Sequence, residues 1–242
     1  MSEVHTHARR ARRPDAVGYA RGVETRQRIV LAAMELFGRD GYERTSTRDI
    51  AARAEVNAPV LQYYFDGKEG LYSACAEYMS SRIRETLQPV LDSVRARLSK
   101  KIGRSGLIDC VCLVYEHTAE FMLLNPELEC WTRFITWNDR DEVPPRAHKL
   151  IDAGIGNDMR SLLRELIGRI IGKDPDGVET RIRVLTLGGQ LSVFNVARQH
   201  SLEFIGWQTV DQKALRQFNA VIRAQTTAAL RNAAPSRIKT RS

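Results

Sequence analysis

Long apolar runs are missing from this sequence. No stretch approaches the ~18 consecutive apolar residues of a membrane-spanning helix, and no charged-then-apolar leader opens the chain. Cysteine is scarce: Cys75, Cys110, Cys112 and Cys130 are the four, and none has the CxxC spacing of a zinc site. A cytoplasmic location with reduced thiols is therefore expected, with no membrane partner, no cofactor and no metal. Also absent are a phosphate-cradling glycine loop, a nucleophile elbow and an HExxH pair, which leaves catalysis the least supported class of function. Gly188-Gly189-Gln190 lies inside a helical pattern, and Asp174-Pro175-Asp176-Gly177 lacks the spacing of a calcium loop; both read as local structure. Sustained strand alternation is missing too, so the expected fold class is all-α.

What is present is ordinary in amount and uneven in placement. The 242 residues, 43% apolar and 27% charged, are enough for one small and one larger domain. A net charge of +8 makes an anionic partner plausible. Residues 1–22 hold Arg9, Arg10, Arg12, Arg13 and Arg21 against Glu3 and Asp15, and read as a disordered basic arm whose His5 and His7 are solvated. Residues 23–72 carry seven basic and eight acidic side chains, so DNA binding there would need a few well-placed donors rather than bulk charge. A second basic tail, residues 233–242, closes the chain.

Helical period runs through nearly everything between. The first helix spans about Glu24–Gly38, with Ile29, Ala32, Ala33, Leu36 and Phe37 on one stripe. Ser46 and Asp49 read as a capping pair opening a short helix to Ala54 that buries Ile50, Ala51 and Ala54. Asn57 caps a third helix with Pro59 in its first turn, and Asp66 caps a fourth. Further helices are expected over 68–102 (bent near Pro89), 106–124, 126–137, 146–171, 177–200 and 211–232.

Residues 46–65 form a helix-turn-helix pattern backed by the first helix. On its second helix Leu61, Tyr64 and Phe65 face the core, leaving Pro59, Val60, Gln62 and Tyr63 outward. That face suits a major groove: valine meets a thymine methyl, glutamine reads a base edge, tyrosine donates to a phosphate. Thr25, Arg26, Ser46, Thr47, Arg48, Asn57, Ala58 and Lys68 complete the expected DNA-binding set, several of them at helix starts where anions bind. A three-helix protein-binding module without nucleic acid fits the same periodicity.

The stretch from Thr25 to Cys75 resembles the TetR/AcrR DNA-binding domain. The resemblance rests on Ile29, Ala33, Phe37, Gly41, Tyr42, Thr45, Ser46, Ile50, Ala51, Phe65, Lys68 and Leu71. It implies a DNA-binding domain over residues 23–83 and a homodimeric repressor, less often an activator, on a double-stranded operator. Two positions depart from the pattern. Glu55 stands where the turn usually carries glycine, at a cost of about 1 kcal/mol if its backbone is left-handed. Gln62 stands where a phosphate-binding tyrosine is frequent, which leaves the roles of Gln62 and Tyr63 open.

Residues 84–232 are expected to form an effector-binding and dimerisation domain, more weakly resembling the CecR-type subgroup. Helix 177–200 has two apolar stripes, Val178, Ile182, Leu185, Gly189, Val193 and Val184, Leu187, Leu191, Phe194. One stripe suffices for a surface helix, so the second implies a partner. The expected dimer interface is Val184, Leu187, Leu191, Phe218 and Ile222. A small-molecule effector pocket is assigned to His117, Phe121, Trp131, Phe134, Trp137 and Phe194, with plain core packing as the alternative for each aromatic. Control by a protein partner or by thiol oxidation is the other regulatory reading. Cys110 and Cys112, two apart on a helix, point to different faces and read as buried thiols.

Overall fold

A computed structural model describes residues 16–138, 143–152 and 155–233. Its elements are all helices: α1 (Ala16–Asp40), α2 (Thr47–Arg53), α3 (Ala58–Tyr64), α4 (Gly67–Leu98), α5 (Arg104–Leu124), α6 (Leu128–Asn138), α7 (Pro145–Asp152), α8 (Ile155–Ile171), α9 (Val178–Val196), α10 (Arg198–Ile205) and α11 (Gln212–Asn232).

Two cores organise them. In the first, the α1 stripe Ile29, Ala33, Leu36 and Phe37 meets Ile50 and Ala51 of α2, Leu61 of α3 and Leu71, Tyr72 and Cys75 of α4. The ring of Tyr72 receives Phe37 edge-on at 4.9 Å between centroids and lies stacked on Phe134 at 4.5 Å. Leu128, Trp131 and Phe134 of α6 thus complete this N-terminal core, although they lie far along the chain. Gly38 permits the approach: a Cβ there would stand 3.2 Å from the Cys130 carbonyl oxygen. The second core joins the far half of α4 to α5, α8, α9 and α11 through Leu91, Val111, Leu166, Ile167, Leu191 and Phe218.

Several expected helix limits move. α1 begins at Ala16 rather than near Glu24, so the last residues of the expected disordered arm are helical; residues 1–15 lie outside the described residues. Contact supplies what composition did not, for Gly22 lies against the Tyr64 hydroxyl, which a Cβ would meet at 3.3 Å. The expected 177–200 helix breaks at Ala197 (φ −117°, ψ 42°). There the Arg198 guanidinium donates to the Met122 and Leu123 carbonyls at the end of α5, at 3.0 and 2.7 Å. Those carbonyls have no partner within their own helix end, so capping them outweighs continuing α9. The expected helix 146–171 is helical over Pro145–Asp152 and Ile155–Ile171; residues 153 and 154 lie outside the described residues. α4 runs on unbroken to Leu98 with Pro89 inside it.

Candidate nucleic-acid interface

The α2–α3 unit is held by the caps its sequence suggests, with one change of detail. The Ser46 hydroxyl accepts from the Asp49 amide at 3.1 Å and donates to the Asp49 carboxylate at 2.6 Å, so the pair closes on the hydroxyl itself. Asn57 sits at the N-cap of α3 with Pro59 in the first turn, but its exposed side chain makes no capping bond. Asp66 makes none either; α4 opens on Gly67 at φ +70°. Glu55 does have positive φ, 54°, and no other non-glycine described residue does. A left-handed glutamate is strained by Cβ, and the tight α2–α3 turn requires it.

The expected faces of α3 appear as read. Leu61 and Phe65 are buried and Tyr64 is half-buried, whereas Ala58, Pro59, Gln62 and Tyr63 are exposed, Tyr63 to 84%. Val60 lines a shallow groove of about 490 Å³ together with Thr25 of α1 and Asn57, so expected contacts from α1 and from α3 with its cap share one surface. Glu55 lies on the same groove. Arg48 is exposed and Thr47 half-buried on α2.

Two cations are seated by neighbours that sequence reasoning did not pair with them. The Arg26 guanidinium lies over the Phe65 ring at 5.2 Å from its centroid. The Lys68 ammonium donates to the Glu43 carbonyl at 3.1 Å and stands 4.4 Å over the Tyr42 ring. One of its three N–H groups is used there, so donors remain for a phosphate. The Gly41-Tyr42 pair was visible in the sequence, but only proximity assigns its ring to Lys68. Other basic residues are committed to carboxylates: Arg39 to Asp40 at 2.7 Å and Arg53 to Glu35 at 2.7 Å.

The expected effector pocket is not one cavity. His117, Phe121 and Trp131 do meet, in a cleft of about 330 Å³ with Arg82 and Thr86 of α4. Phe134 is fully buried in the N-terminal core, and Phe194 packs edge-on to Phe218 at 4.7 Å in the second. The side chain of Trp137 lies outside the described residues. A larger cleft, about 940 Å³, opens between α6, the end of α9 and α10. Thr132, Arg133, Asn195, His200 and Trp207 line it, and Thr132 Oγ1 is 2.6 Å from Asn195 Oδ1. Its polar groups come from a helix junction that periodicity alone did not reveal.

The α9 stripes are placed opposite to expectation. Val184, Leu191, Phe218 and Ile222 are buried in the chain's own core and leave almost no surface for a partner, while Leu187 is half-buried against it. Uncovered instead are Val178, Ile182, Leu185 and Val193, with Leu185 at 67% exposure. The inward stripe is the one that meets α5 and α8, because the larger leucines and Phe194 fill that space.

The thiols are insulated. Burial pushes Cys75 well up, raises Cys110 and Cys112, and brings Cys130 up to about 11. Thiolate, the reactive form, is therefore scarce at neutral pH. Among the described residues no group of three or more His, Cys, Asp or Glu could hold a metal ion, and no helix is long and apolar enough to cross a membrane.

Comparison with known proteins adds to this geometry. The tetR family of bacterial regulatory proteins matches residues 29–75, and the C-terminal domain of the HTH-type transcriptional dual regulator CecR matches residues 113–233. The CecR protein of Shigella flexneri is 24% identical over 204 residues, covering 84% of this chain and 89% of that protein. A transcriptional regulator from Pseudomonas aeruginosa PAO1 has a similar fold, with TM-score 0.57, 16% identity, and 87% and 94% of the two chains covered. So has AibR, solved with isovaleryl coenzyme A and operator DNA, with TM-score 0.56, 16% identity, and 83% and 97% covered.

Proposed function

Starting from the chain's membership of the TetR family of transcription regulators, with a CecR-type C-terminal domain, we propose that it is a homodimeric repressor released from its operator by a small-molecule effector. The observation that carries the DNA-binding part is the outward face of α3. Gln62 and an 84% exposed Tyr63 are left uncovered, and half-buried Val60 lines a groove with Thr25 and Asn57. In this reading Val60 and Gln62 read base edges, while Thr25, Arg26, Thr47, Arg48, Tyr63 and Lys68 hold phosphates. Ser46 acts as the α2 cap, its hydroxyl already committed to Asp49. Selection of bound sequences from random duplexes tests this: a two-half-site consensus is expected, and failure to enrich any sequence would reject it.

The dimer is formed through the uncovered stripe of α9. Val178, Ile182, Leu185, Gly189, Val193 and Val196 recur at three- and four-residue steps, as in a helix–helix seam. Beside it α11 exposes Ala220, Val221, Ala224 and Ala228, small enough for close approach. Two such pairs make a four-helix bundle.

The effector site is assigned to the larger cleft. Its ~940 Å³ suits a drug-sized ligand. Its floor is α6, whose opposite face inserts Trp131 and Phe134 into the N-terminal core. A ligand shifting α6 would therefore act on α1 and α4 and so on the spacing of two recognition helices, ~34 Å apart on successive major grooves. It must favour the DNA-free conformation to act at all. Coupling of ~1–3 kcal/mol would weaken operator binding about 5- to 150-fold, and operator would weaken ligand binding by the same factor. Identical ligand affinity with and without operator would exclude this switch.

A further inference from the structure

The hairpin of α8 and α9 carries more positive charge than its own carboxylates neutralise. Arg160 and Arg164 stand one turn apart on α8, and Arg181 lies across from them near the start of α9. All three line one cleft of about 300 Å³, with Asn157 of α8 and Val184 and Leu185 of α9. Asp176 is the carboxylate set among them: Arg164 donates to it at 2.6 Å and Arg181 stands 3.7 Å from it. Arg160 donates to the Asn157 amide oxygen and, among the described residues, pairs with no carboxylate. Other acids of the two helices are engaged elsewhere, Asp158 with Arg95, Glu165 with Arg169 and Glu179 with Arg183. Three guanidiniums against one carboxylate leave the cleft an excess of two positive charges.

The Asp174-Pro175-Asp176-Gly177 turn fixes Asp176 in that place. Its Gly177 amide donates to the Asp174 carbonyl at 3.0 Å, and its Asp176 amide to the Asp174 carboxylate at 2.9 Å. The hydroxyl of buried Thr180 donates to the same Asp174 carbonyl at 2.7 Å. Asp176 therefore holds Arg164 and Arg181 in position before any ligand arrives, and side chains ordered in advance lower the cost of binding. Each guanidinium offers five N–H donors in a planar fork, and Arg160 and Arg164 each use one on the partners just named. A carboxylate has two oxygens in one plane and is satisfied by a single fork. A phosphate group carries about −1.5 to −2 charge near neutral pH and spreads its oxygens in several directions, which suits forks arriving from two helices. No aromatic side chain lines the cleft, so a nucleobase would find nothing to stack on.

We propose that the α8–α9 cleft is an anion site that binds a phosphate or diphosphate group through Arg160, Arg164 and Arg181. Its residues are shared neither with the outward face of α3 nor with the cleft beside α6, so it stands apart from the operator and effector readings. Leu185 belongs both to its wall and to the uncovered row of α9, which puts the site at the edge of the proposed dimer seam.

The test is calorimetric titration of the full chain with inorganic pyrophosphate at constant ionic strength in chloride. Saturable binding is expected, weakened about 30-fold or more in R160Q/R181Q, which keeps the Arg164–Asp176 pair and removes two charge-assisted contacts at a solvent-facing site. The R160K/R181K variant retains both charges but not the forks, and should fall between the two. Succinate, with two planar carboxylates, should bind more weakly than pyrophosphate. Adenosine diphosphate should bind no more tightly, because the cleft offers its base no contact. Absence of saturable binding by the wild type would overturn the proposal, and so would equal affinity in R160Q/R181Q, which would place the anion elsewhere on this basic chain. Wild-type affinity in R160K/R181K would reduce the effect to bulk charge and overturn the fork-matched site, a result that holds even if R160Q/R181Q loses its helical circular dichroism. Much tighter binding of adenosine diphosphate or succinate would overturn the assignment to a phosphate group.

Discussion

Two helix faces of this chain are left uncovered by its own fold, and they differ in chemistry. On α3 the open face mixes Pro59, Val60, Gln62 and Tyr63: one apolar contact, one amide and one phenol, each suited to a different group. On α9 it is a row of aliphatic residues, Val178, Ile182, Leu185, Val193 and Val196, broken by Gly189. Desolvating the second face gains free energy from almost any apolar partner of matching shape, whereas the first gains only where donors and acceptors match. On the proposed function, the contrast separates a surface that recognises from one that merely associates.

That comparison can be broken at its strongest point. Replacing Ile182 and Leu185 with Asp should leave each chain folded, give monomers in sedimentation, and lower operator affinity about 100-fold or more through loss of two-site binding. Leu191→Ala, on the inward stripe of the same helix, should instead cost about 2–5 kcal/mol in denaturant unfolding, because it opens a cavity in the second core. A variant pair with the two outcomes exchanged would return the seam to the inward stripe.

Smaller effects sharpen the α3 side. Val60→Ala and Gln62→Ala should each shift base preference at one operator position, by about 1–3 kcal/mol against the selected consensus. Lys68→Ala should weaken all sequences alike and reduce the salt slope by about one. Uniform weakening by Gln62→Ala would make it a phosphate contact and leave Tyr63 as the base reader.

The turn between α2 and α3 allows a stability measurement. Glu55→Gly should stabilise by about 1 kcal/mol, since glycine accepts φ 54° without the Cβ clash. For a chain of this size that is roughly 2–4 °C in Tm. A fall in Tm would mean the glutamate side chain earns its place by a contact not evident from its position.

The smallest expected effect concerns the thiols. Cys130, held up to about 11 chiefly by burial, is protonated at pH 7, and its thiolate fraction rises tenfold per pH unit until that value. Alkylation should therefore be slow at neutral pH and accelerate through pH 10, and peroxide should leave operator affinity unchanged. Release by peroxide, abolished in Cys130→Ser, would restore thiol control as the switch.

Much of the N-terminal region was legible in the sequence because its signals are local. The Ile29-to-Phe37 stripe, the Ser46–Asp49 pair and the outward set on α3 all lie within one or two turns of each other. The strain at Glu55 was signalled by the family resemblance, which places glycine at that position, and its φ of 54° bears out the left-handed backbone. The seats of Arg26 and Lys68 were not, since Phe65 and Tyr42 reach them only after the helices cross.

The C-terminal region shows the limit. The sequence by itself determined that α9 carries two apolar stripes, that a last amphipathic helix follows over 211–232, and that aromatics cluster around α5 and α6. Only the tertiary structure decided which α9 stripe turns inward, that Phe134 belongs to the N-terminal core while Phe194 belongs to the other, and that Arg198 interrupts α9 to cap α5. Periodicity is a property of one segment. Which side of that segment is buried depends on the volume and the unpaired polar groups that other segments bring to it, and those are known only once the helices have met.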